Sequence, residues 1–264
     1  MILRSDDADL YYEVKGEGPD VVMLHPYPSD HTFWLPMAQH LESRFRLVLP
    51  DLRGLGRSEA GEGPTTMPKL AEDLLRLCDT LKIGRAAFMG CSVGGYLLFE
   101  FWRRSCERVK ALVLMDTRAG AETDESREGR MKTAEEILQK GPEWAFDQMM
   151  PRMLAPVTIS SRLDVVACAK ATMRQSGAAG MAAMQRGMAV RSDSVATLAE
   201  IDVPTLVLGG EADAATPVSE LERMARGIRG AELKIVSRAG HYAALEQPEE
   251  VGRVVREFLD RNGR

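Results

Sequence analysis

The sequence lacks the features that mark nucleic-acid-binding, exported and membrane-spanning proteins. It contains no basic tract and no block of like charges, and 39 acidic residues against 34 basic ones give a net charge of −5. This balance argues against nucleic acid as the main partner. The first residues lack the apolar core of a signal peptide, and no apolar stretch is long enough to cross a bilayer. We therefore expect a cytoplasmic protein that binds neither nucleic acid nor a membrane.

Cysteine and histidine are both scarce, with four of each among 264 residues. The cysteines form neither a Cys-x-x-Cys pair nor a Cys/His spacing typical of zinc sites, which indicates reduced thiols and no metal site. The chain also lacks internal repeats and low-complexity segments. Its length and its ordinary composition, 45% hydrophobic and 28% charged, allow a large core, either in one domain with an insertion or in two small domains.

Six short apolar runs recur along the chain, and most of them are apolar without alternation. They occupy residues 21–24, 47–49, 86–89, 111–115, 205–208 and 233–236. Strands that are buried on both faces have such sequences, and amphipathic segments lie between many of these runs. This alternation predicts an α/β fold with a mostly parallel sheet that is covered by helices on both faces. Residues 10–14, followed by a turn at 16–19, predict an antiparallel edge hairpin that leads into the first buried strand.

The alternation of strands and helices breaks between residues 119 and 196. This stretch contains no convincing strand and several helical segments, and eight of the fifteen methionines fall within it. We interpret it as a helical cap that is inserted into an α/β core of residues 1–118 and 197–264. The methionines either line an adaptable apolar pocket or fill gaps in a small helical core.

Gly90-Cys91-Ser92-Val93-Gly94 carries the strongest chemical signal in the chain. It lies between an apolar run and a helical stretch, which is typical of a nucleophile elbow, G-x-S-x-G. The sharp turn strains the backbone of its apical residue and brings the positions two residues to either side close to the strand and the helix. Those positions must be nearly free of side chains, and both are glycine. The pattern therefore predicts Ser92 as the nucleophile, because a turn centred on Cys91 would place Met89 and Val93 where small residues are required.

A serine nucleophile needs a base, and the base needs an acid that orients it. Asp213 and His241 each lie just past the end of a predicted strand, where the loops of a parallel sheet meet at one edge. They follow Ser92 in the order serine, acid, histidine, which this type of active site uses. The alternative acids are Asp116, at the end of the strand after the elbow, and Glu211, in the same loop as Asp213.

The tetrahedral intermediate of such a reaction needs two aimed hydrogen-bond donors. The elbow supplies one, the Val93 N–H. The second is expected from the loop after the first buried strand, which begins at His25. Because proline has no N–H, Tyr27 is the only donor between Pro26 and Pro28, and its N–H is the leading candidate. This backbone role is more natural for the loop than a catalytic role of His25.

Five segments resemble motifs of the α/β-hydrolase superfamily, and the resemblance runs nearly end to end except through residues 119–196. They are the elbow GCSVGG, the turn PDLRGLGRS, the acid loop GGEADAATP, the histidine loop AGHYAALEQPEEV and the oxyanion loop HPYPSDHTFW. The resemblance implies eight strands, the second of them antiparallel, and a cap after strand six. In the oxyanion loop, Pro26 stands where the family usually has glycine. The serine at the elbow disfavours the branches that use an aspartate nucleophile.

These observations predict a hydrolase that cleaves carboxylic esters or lactones of a small molecule through an acyl-enzyme on Ser92, without a cofactor or a metal. The chain most resembles small carboxylesterases and 3-oxoadipate enol-lactonase-like enzymes. Cofactor-free perhydrolases, C–C bond hydrolases and acyl transferases use the same triad and remain alternatives, as does a nearly inert receptor that binds a ligand under the cap. Arg118 either anchors a substrate carboxylate or pairs with Asp116 or with an acid of the cap.

Overall fold

An eight-stranded sheet runs through residues 1–263, the part of the chain that the computed structural model describes. The strands are β1 (Ile2–Arg4), β2 (Asp9–Lys15), β3 (Asp20–Leu24), β4 (Arg46–Pro50), β5 (Ala86–Cys91), β6 (Val109–Met115), β7 (Thr205–Gly210) and β8 (Glu232–Val236). They lie in the order β1-β2-β4-β3-β5-β6-β7-β8, with β2 antiparallel to both of its neighbours and β3 to β8 parallel. The predicted mostly parallel sheet, with its second strand antiparallel, is confirmed.

The central strands are buried along their length, as their unbroken apolar sequences predict. Every residue of β5 and of β7 is buried, and Lys110 is the single partly exposed residue of β6. Burial of this apolar surface contributes roughly 25 cal/mol per Å² to the stability of the fold. The ends of these strands therefore form a rigid edge that carries the loops of the site.

The expected hairpin between β2 and the first buried strand is wrong in its pairing. β2 pairs with β1 on one side and with β4 on the other, so β4 lies between β2 and β3. The turn after β2 packs against the segment that leads into β4. A Cβ on Gly16 would lie 2.2 Å from Glu42 O, and one on Gly18 would lie 2.5 Å from Arg44 O. The chain thus passes from β2 to β3 across the position in the sheet that β4 fills later. The local sequence does not show this crossing, because the contact joins residues that are far apart in the chain.

Eleven α-helices accompany the sheet within residues 1–263. They are α1 (Leu35–Ala38), α2 (Met67–Thr80), α3 (Val93–Ser105), α4 (Asp124–Lys140), α5 (Pro142–Met153), α6 (Pro156–Ser161), α7 (Leu163–Met173), α8 (Ala178–Ala189), α9 (Val218–Gly227), α10 (Ala243–Glu246) and α11 (Pro248–Asn262). Short 3₁₀ turns lie at His31–Trp34, Cys106–Arg108 and Ala196–Glu200. None of the helices in this part of the chain has the length and apolarity that crossing a bilayer requires.

Helices α4 to α8 fill the stretch between β6 and β7, and α8 rests directly on loops of the sheet. A Cβ on Gly180 would lie 1.8 Å from Gly54 O, and one on Gly187 would lie 1.7 Å from Thr65 O. The Thr65 N–H donates to Ala183 O over 3.0 Å. Two glycines thus let the backbone of α8 touch the core, and α4 packs along α8. The division into a core and a cap at residues 119 and 196 stays a prediction.

Replacing Gly187 with alanine is expected to destabilise the protein, because the added methyl group would have to displace the Thr65 backbone. We expect a loss of about 1–3 kcal/mol in the free energy of unfolding, although alanine by itself is the better helix former. Gly177→Ala is the matched control, since no atom lies within 4 Å of a Cβ built there. Urea unfolding of both variants checks the expectation, and equal stability of Gly187→Ala and wild type would contradict it.

Candidate active site

The chain turns from β5 into α3 at Ser92, which adopts φ 52° and ψ −112°. A positive φ strains a residue that carries a side chain, so neighbouring contacts must hold it. A Cβ on Gly90 would lie 2.5 Å from the Gly94 carbonyl carbon, and one on Gly94 would lie 2.3 Å from the Leu24 carbonyl oxygen. Both glycines are therefore required for β5, α3 and the end of β3 to approach so closely.

Groups at the end of β6 hold this elbow in place. The Ser92 N–H donates to Met115 O over 2.9 Å, and the Ser92 carbonyl accepts from Thr117 Oγ1 over 2.7 Å. A Cβ on Gly95 would lie 2.4 Å from the same Thr117 hydroxyl. Ser92 therefore sits firmly at the N-terminal end of α3, where the helix dipole stabilises negative charge that develops nearby.

His241 and Asp213 form a buried hydrogen-bonded pair. His241 Nδ1 lies 2.8 Å from Asp213 Oδ2, and the two residues are 3% and 7% exposed. The other oxygen of Asp213 accepts from the N–H groups of Ala215 and Thr216, over 2.7 and 2.8 Å. Three donors suit a carboxylate that accepts from Nδ1–H and leaves Nε2 of the ring free to take a proton. Because His241 and Ser92 line the same cavity, the fold brings the three predicted residues together.

A buried glutamate, Glu246, fixes the histidine loop. Its Oε1 accepts from the Gly240 N–H over 2.6 Å, and its Oε2 accepts from the Ala155 N–H and the Thr158 hydroxyl over 2.9 and 2.5 Å. A Cβ on Gly240 would lie 2.6 Å from the Ala155 nitrogen. One carboxylate therefore joins the loop of His241 to the start of α6.

The N–H groups of Tyr27 and Val93 are both free. Within residues 1–263, neither group donates a hydrogen bond to a protein acceptor. Val93 is the first residue of α3, and Tyr27 lines the cavity just after β3. The Ser29 hydroxyl donates to Tyr242 Oη over 3.0 Å, and Tyr242 Oη lies 3.4 Å from Tyr27 O. Because Tyr242 follows His241 in the chain, these contacts tie the Tyr27 loop to the histidine loop.

Three other residues that the sequence offered, His25, Cys91 and Glu211, do not line the cavity of Ser92 and His241. His25 is fully buried, its Nε2 accepts from the Leu52 N–H over 2.8 Å, and its Nδ1 lies 3.0 Å from Pro26 O. The ring proton is therefore on Nδ1, and burial lowers the pKa of His25, so this histidine is a neutral structural residue. Cys91 is also fully buried, and burial raises the pKa of its thiol. Glu211 is exposed.

A cavity of about 510 Å³ opens at Ser92 and His241 and extends between the sheet edge and helices α4, α5 and α8. Such a volume accommodates a small molecule. Methionines line part of it, namely Met149, Met153 and Met188. Further methionines of the same helical stretch are buried in its core, namely Met150, Met173, Met181 and Met184. The methionine-rich composition therefore serves the cavity and the packing of the helices alike.

One family accounts for most of the chain. The sequence profile described as alpha/beta hydrolase fold matches residues 19–248. The chain belongs to this family. The matched range begins just before β3 and ends at the start of α11, so it includes the elbow, the acid loop and the histidine loop. The predicted α/β-hydrolase fold is confirmed.

Several known proteins similar to this α/β hydrolase are named as esterases or lactonases. It is 28% identical to 3-oxoadipate enol-lactonase 1 of Acinetobacter baylyi, over 98% of this chain and 96% of that one. Among solved structures, a thermophilic esterase from Thermogutta terrifontis, studied with malate bound, shares 36% identity with a TM-score of 0.94, over 96% and 94% of the two chains. The enol-lactonase of Burkholderia xenovorans shares 28% identity with a TM-score of 0.89, over 96% and 97%. The prediction of a hydrolase of this fold is confirmed.

Within residues 1–263, one group of side chains has the composition of a metal site: Asp30, His31 and Asp51, whose ligand atoms lie within 4.8 Å of one another. These residues do not line the cavity of the hydrolase. The N–H and Nδ1 of His31 both lie 2.7 Å from Asp51 Oδ1, and Asp51 Oδ2 accepts from the Arg57 N–H over 2.8 Å. Asp51 thus holds the turn after β4 against the loop after β3.

Glu246, Glu122 and Arg130 lie in the site region of this hydrolase, yet no sequence motif points to them. Glu246 lies five residues after His241, and its partner Ala155 is 91 residues away in the chain. Glu122 and Arg130 lie in a strongly charged stretch at the start of α4, where charges are usually solvated. No local pattern distinguishes such residues from surface charges, because contacts between residues far apart in the chain determine their burial and their partners.

Asp116, the alternative acid at the end of β6, does not pair with His241. It is fully buried with φ 45°, and its carboxyl group accepts from the Gly210 N–H over 2.8 Å, whereas His241 pairs with Asp213. Burial, together with the nearby Asp213 carboxylate, raises the pKa of Asp116 well above its ordinary value. The raised pKa favours the neutral carboxylic acid form of Asp116 in the folded protein.

Asp116→Asn is expected to gain stability relative to the wild type as the pH rises. The unfolded chain loses the Asp116 proton above about pH 3.8, whereas the folded protein keeps it, so the stability of the wild type falls with rising pH. Asparagine does not titrate and retains an oxygen for the Gly210 N–H. The advantage of the variant in unfolding free energy should therefore grow above about pH 4, by at most about 1.4 kcal/mol per pH unit. Urea unfolding from about pH 5 to about pH 8 measures it, and a constant difference would contradict the expectation.

Proposed function

We propose that this protein is a serine hydrolase that cleaves carboxylic esters or lactones of small molecules. The observation that carries the proposal is the His241–Asp213 pair, 2.8 Å apart, which shares a cavity with Ser92 at the strained elbow. Acyl transfer to serine needs a nucleophile, a base and an orienting acid in this arrangement. The names of the relatives, an esterase and two enol-lactonases, support the same reaction class.

In the first half of the reaction, Ser92 becomes acylated. His241 Nε2 takes the proton of Ser92 Oγ as the oxygen attacks the acyl carbon, and Asp213 stabilises the imidazolium that forms. The carbonyl oxygen becomes an oxyanion, which accepts hydrogen bonds from the N–H groups of Tyr27 and Val93. The bond to the leaving oxygen then breaks, and His241 returns the proton to that oxygen. An ester loses its alcohol at this step, whereas a lactone opens and stays attached through its acyl carbon.

In the second half, water hydrolyses the acyl-enzyme. His241 removes a proton from the water as its oxygen attacks the acyl carbon, and the same two N–H groups stabilise the second oxyanion. The bond to Ser92 Oγ breaks, the serine regains its proton from His241, and a carboxylic acid leaves. Residues 119–196 act as the cap in this proposal: α4, α5 and α8 cover the cavity and exclude bulk water, which strengthens the hydrogen bonds to the oxyanion.

Ser92→Ala is expected to lower kcat on p-nitrophenyl acetate and butyrate by about 10⁴-fold or more, because the attacking oxygen is removed. The variant should fold like the wild type, since the Ser92 side chain makes no hydrogen bond that holds the elbow. Ester hydrolysis measured beside thermal unfolding checks both points. Mass spectrometry of the wild type after reaction with a fluorophosphonate should place the adduct on Ser92.

Cys91→Ala is the matched control for that experiment, because Cys91 is the neighbouring nucleophile and is fully buried. It should retain wild-type turnover. Wild-type turnover in Ser92→Ala would exclude Ser92 as the nucleophile. Without ester hydrolysis, cleavage of β-diketones would favour a C–C bond hydrolase, and formation of peracids would favour a perhydrolase. A folded wild type that turns over no activated substrate would favour a receptor.

Asp213→Asn is expected to lower kcat by about 10⁴-fold, because an amide neither orients the His241 tautomer correctly nor stabilises the imidazolium. Glu211→Gln removes a carboxylate from the same loop, at an exposed position, and should leave kcat unchanged. Steady-state kinetics on one p-nitrophenyl ester compares the two variants. The assignment of the acid is wrong if Glu211→Gln is the more damaging change.

A further inference from the structure

Four ionised side chains form a cluster at one wall of the Ser92 cavity. The carboxylate of Glu122, whose side chain is fully buried, lies within 3.2 Å of three guanidinium groups, those of Arg118, Arg130 and Arg191. Arg118 and Arg130 line the cavity, whereas Arg191 is buried with its guanidinium over the Tyr96 ring. Glu122 and its three arginines are termed the arginine cluster below.

The arginine cluster carries more positive than negative charge. Burial by itself would raise the pKa of Glu122, but the charge of Arg130 and the hydrogen bonds that Glu122 accepts hold it at about 2. Glu122 is thus ionised, and within residues 1–263 it is the one carboxylate that forms an ion pair with these guanidinium groups, while Asp193 acts on Arg191 without such a contact. Arg118 and Arg130, which line the cavity, share this one carboxylate, so their positive charge is only partly balanced there.

The other charged groups of the cavity do not supply the missing negative charge. Glu136 lines the cavity, but its carboxylate lies 2.9 Å from Lys140 Nζ. Arg152 also lines the cavity, and no ion pair within residues 1–263 engages it. The cavity is therefore cationic, and a ligand that brings a negative charge is favoured there.

Arg118 and Arg130 keep part of their surface for a ligand. Each carboxylate oxygen of Glu122 has a partner besides Arg118. Oε1 accepts from Arg130 and Arg191, and Oε2 accepts from the Ser126 hydroxyl. The side chains of Arg118 and Arg130 are 27% and 20% exposed, against 2% for Arg191. Their Nε–H groups are buried and have no acceptor among the described residues, and Arg130 donates through Nη1 to Gln185 Oε1 over 3.0 Å. The cluster thus holds more donors than its own acceptors satisfy.

We infer that the cavity selects substrates that carry a carboxylate, which Arg118 and Arg130 bind while Ser92 attacks the ester or lactone carbonyl of the same molecule. The inference rests on the proposed function. Guanidinium groups bind carboxylates through parallel, charge-assisted hydrogen bonds. Apolar residues of the cavity, among them Trp144 and Met188, accommodate the carbon chain between the two groups. The substrate class is therefore half-esters of dicarboxylic acids and lactones that bear a carboxylate.

Binding to the Ser92→Ala protein tests the inference without turnover. Calorimetric titration with monomethyl adipate and with its neutral amide, methyl adipamate, compares a carboxylate with a group of nearly the same shape. We expect the half-ester to bind about 10- to 100-fold more tightly, and added salt should reduce the difference. Equal affinity of the two compounds, or no binding of the half-ester, would overturn the inference.

Variants of the cluster locate the carboxylate site. Arg118→Met, made in the Ser92→Ala protein, should remove most of the preference, while Glu122 keeps its remaining partners. Arg118→Lys keeps the charge and should retain part of the preference, so the inference stays testable if the methionine variant does not fold. Arg253→Met removes a surface charge of α11 that pairs with Glu257, and it should change nothing. An unchanged preference in Arg118→Met would overturn the assignment.

Turnover separates the inference from the proposed function. In the active enzyme, the half-ester should exceed the amide in kcat/KM by about 10- to 100-fold, mainly through a lower KM. If p-nitrophenyl esters are hydrolysed but the half-ester has no advantage in binding, the arginine assignment is wrong and the proposed function stands. If the half-ester binds preferentially and no ester is hydrolysed, the carboxylate site stands and the proposed function fails.

Discussion

The close crossing of β5, α3 and the end of β3 at Gly90 and Gly94 is the constraint on which the rest of the site depends. Any side chain at either glycine would meet backbone atoms at 2.5 Å or less. The crossing holds Ser92 at φ 52°, a conformation that costs a residue with a side chain about 1–3 kcal/mol. Hydrogen bonds to Met115 and Thr117 offset this strain. The position of Ser92 therefore follows from backbone packing and not from contacts of its own hydroxyl.

Buried carboxylates connect the segments around this elbow. Glu246 joins the histidine loop to the start of α6, and Asp51 joins the turn after β4 to the loop after β3. Their surroundings determine their charge. Burial raises the pKa of Glu246 more than the hydrogen bonds from its N–H and hydroxyl partners lower it, whereas the charge of Arg130 and the hydrogen bonds to Glu122 hold the pKa of Glu122 at about 2. The same residue type thus connects two segments through hydrogen bonds in one place and holds a negative charge among arginines in another.

Local patterns predicted the parts of the fold whose causes are local. Apolar runs predicted the central strands, and the glycine spacing around Ser92 predicted the elbow, because both depend on residues close together in the chain. The predicted hairpin of β2 with β3 was wrong. β2 pairs with β4 instead, and the contact of Gly16 and Gly18 with the segment before β4 accompanies that pairing. His25 illustrates the same limit: only the N–H of Leu52, 27 residues further on, shows that its ring is a structural acceptor.

By itself, the sequence determined which residue types stand at the strand ends and in what order, from the serine at the elbow through Asp213 to His241. These predictions rest on properties of the residues themselves: the lack of a side chain in glycine, the missing N–H of proline and the apolar side chains of the strands. The tertiary structure alone decided that Asp213 rather than Asp116 meets His241, and that three arginines surround one glutamate at a wall of the cavity that Ser92 lines. Those outcomes depend on distances between residues far apart in the chain, and on the burial that makes an unbalanced charge consequential.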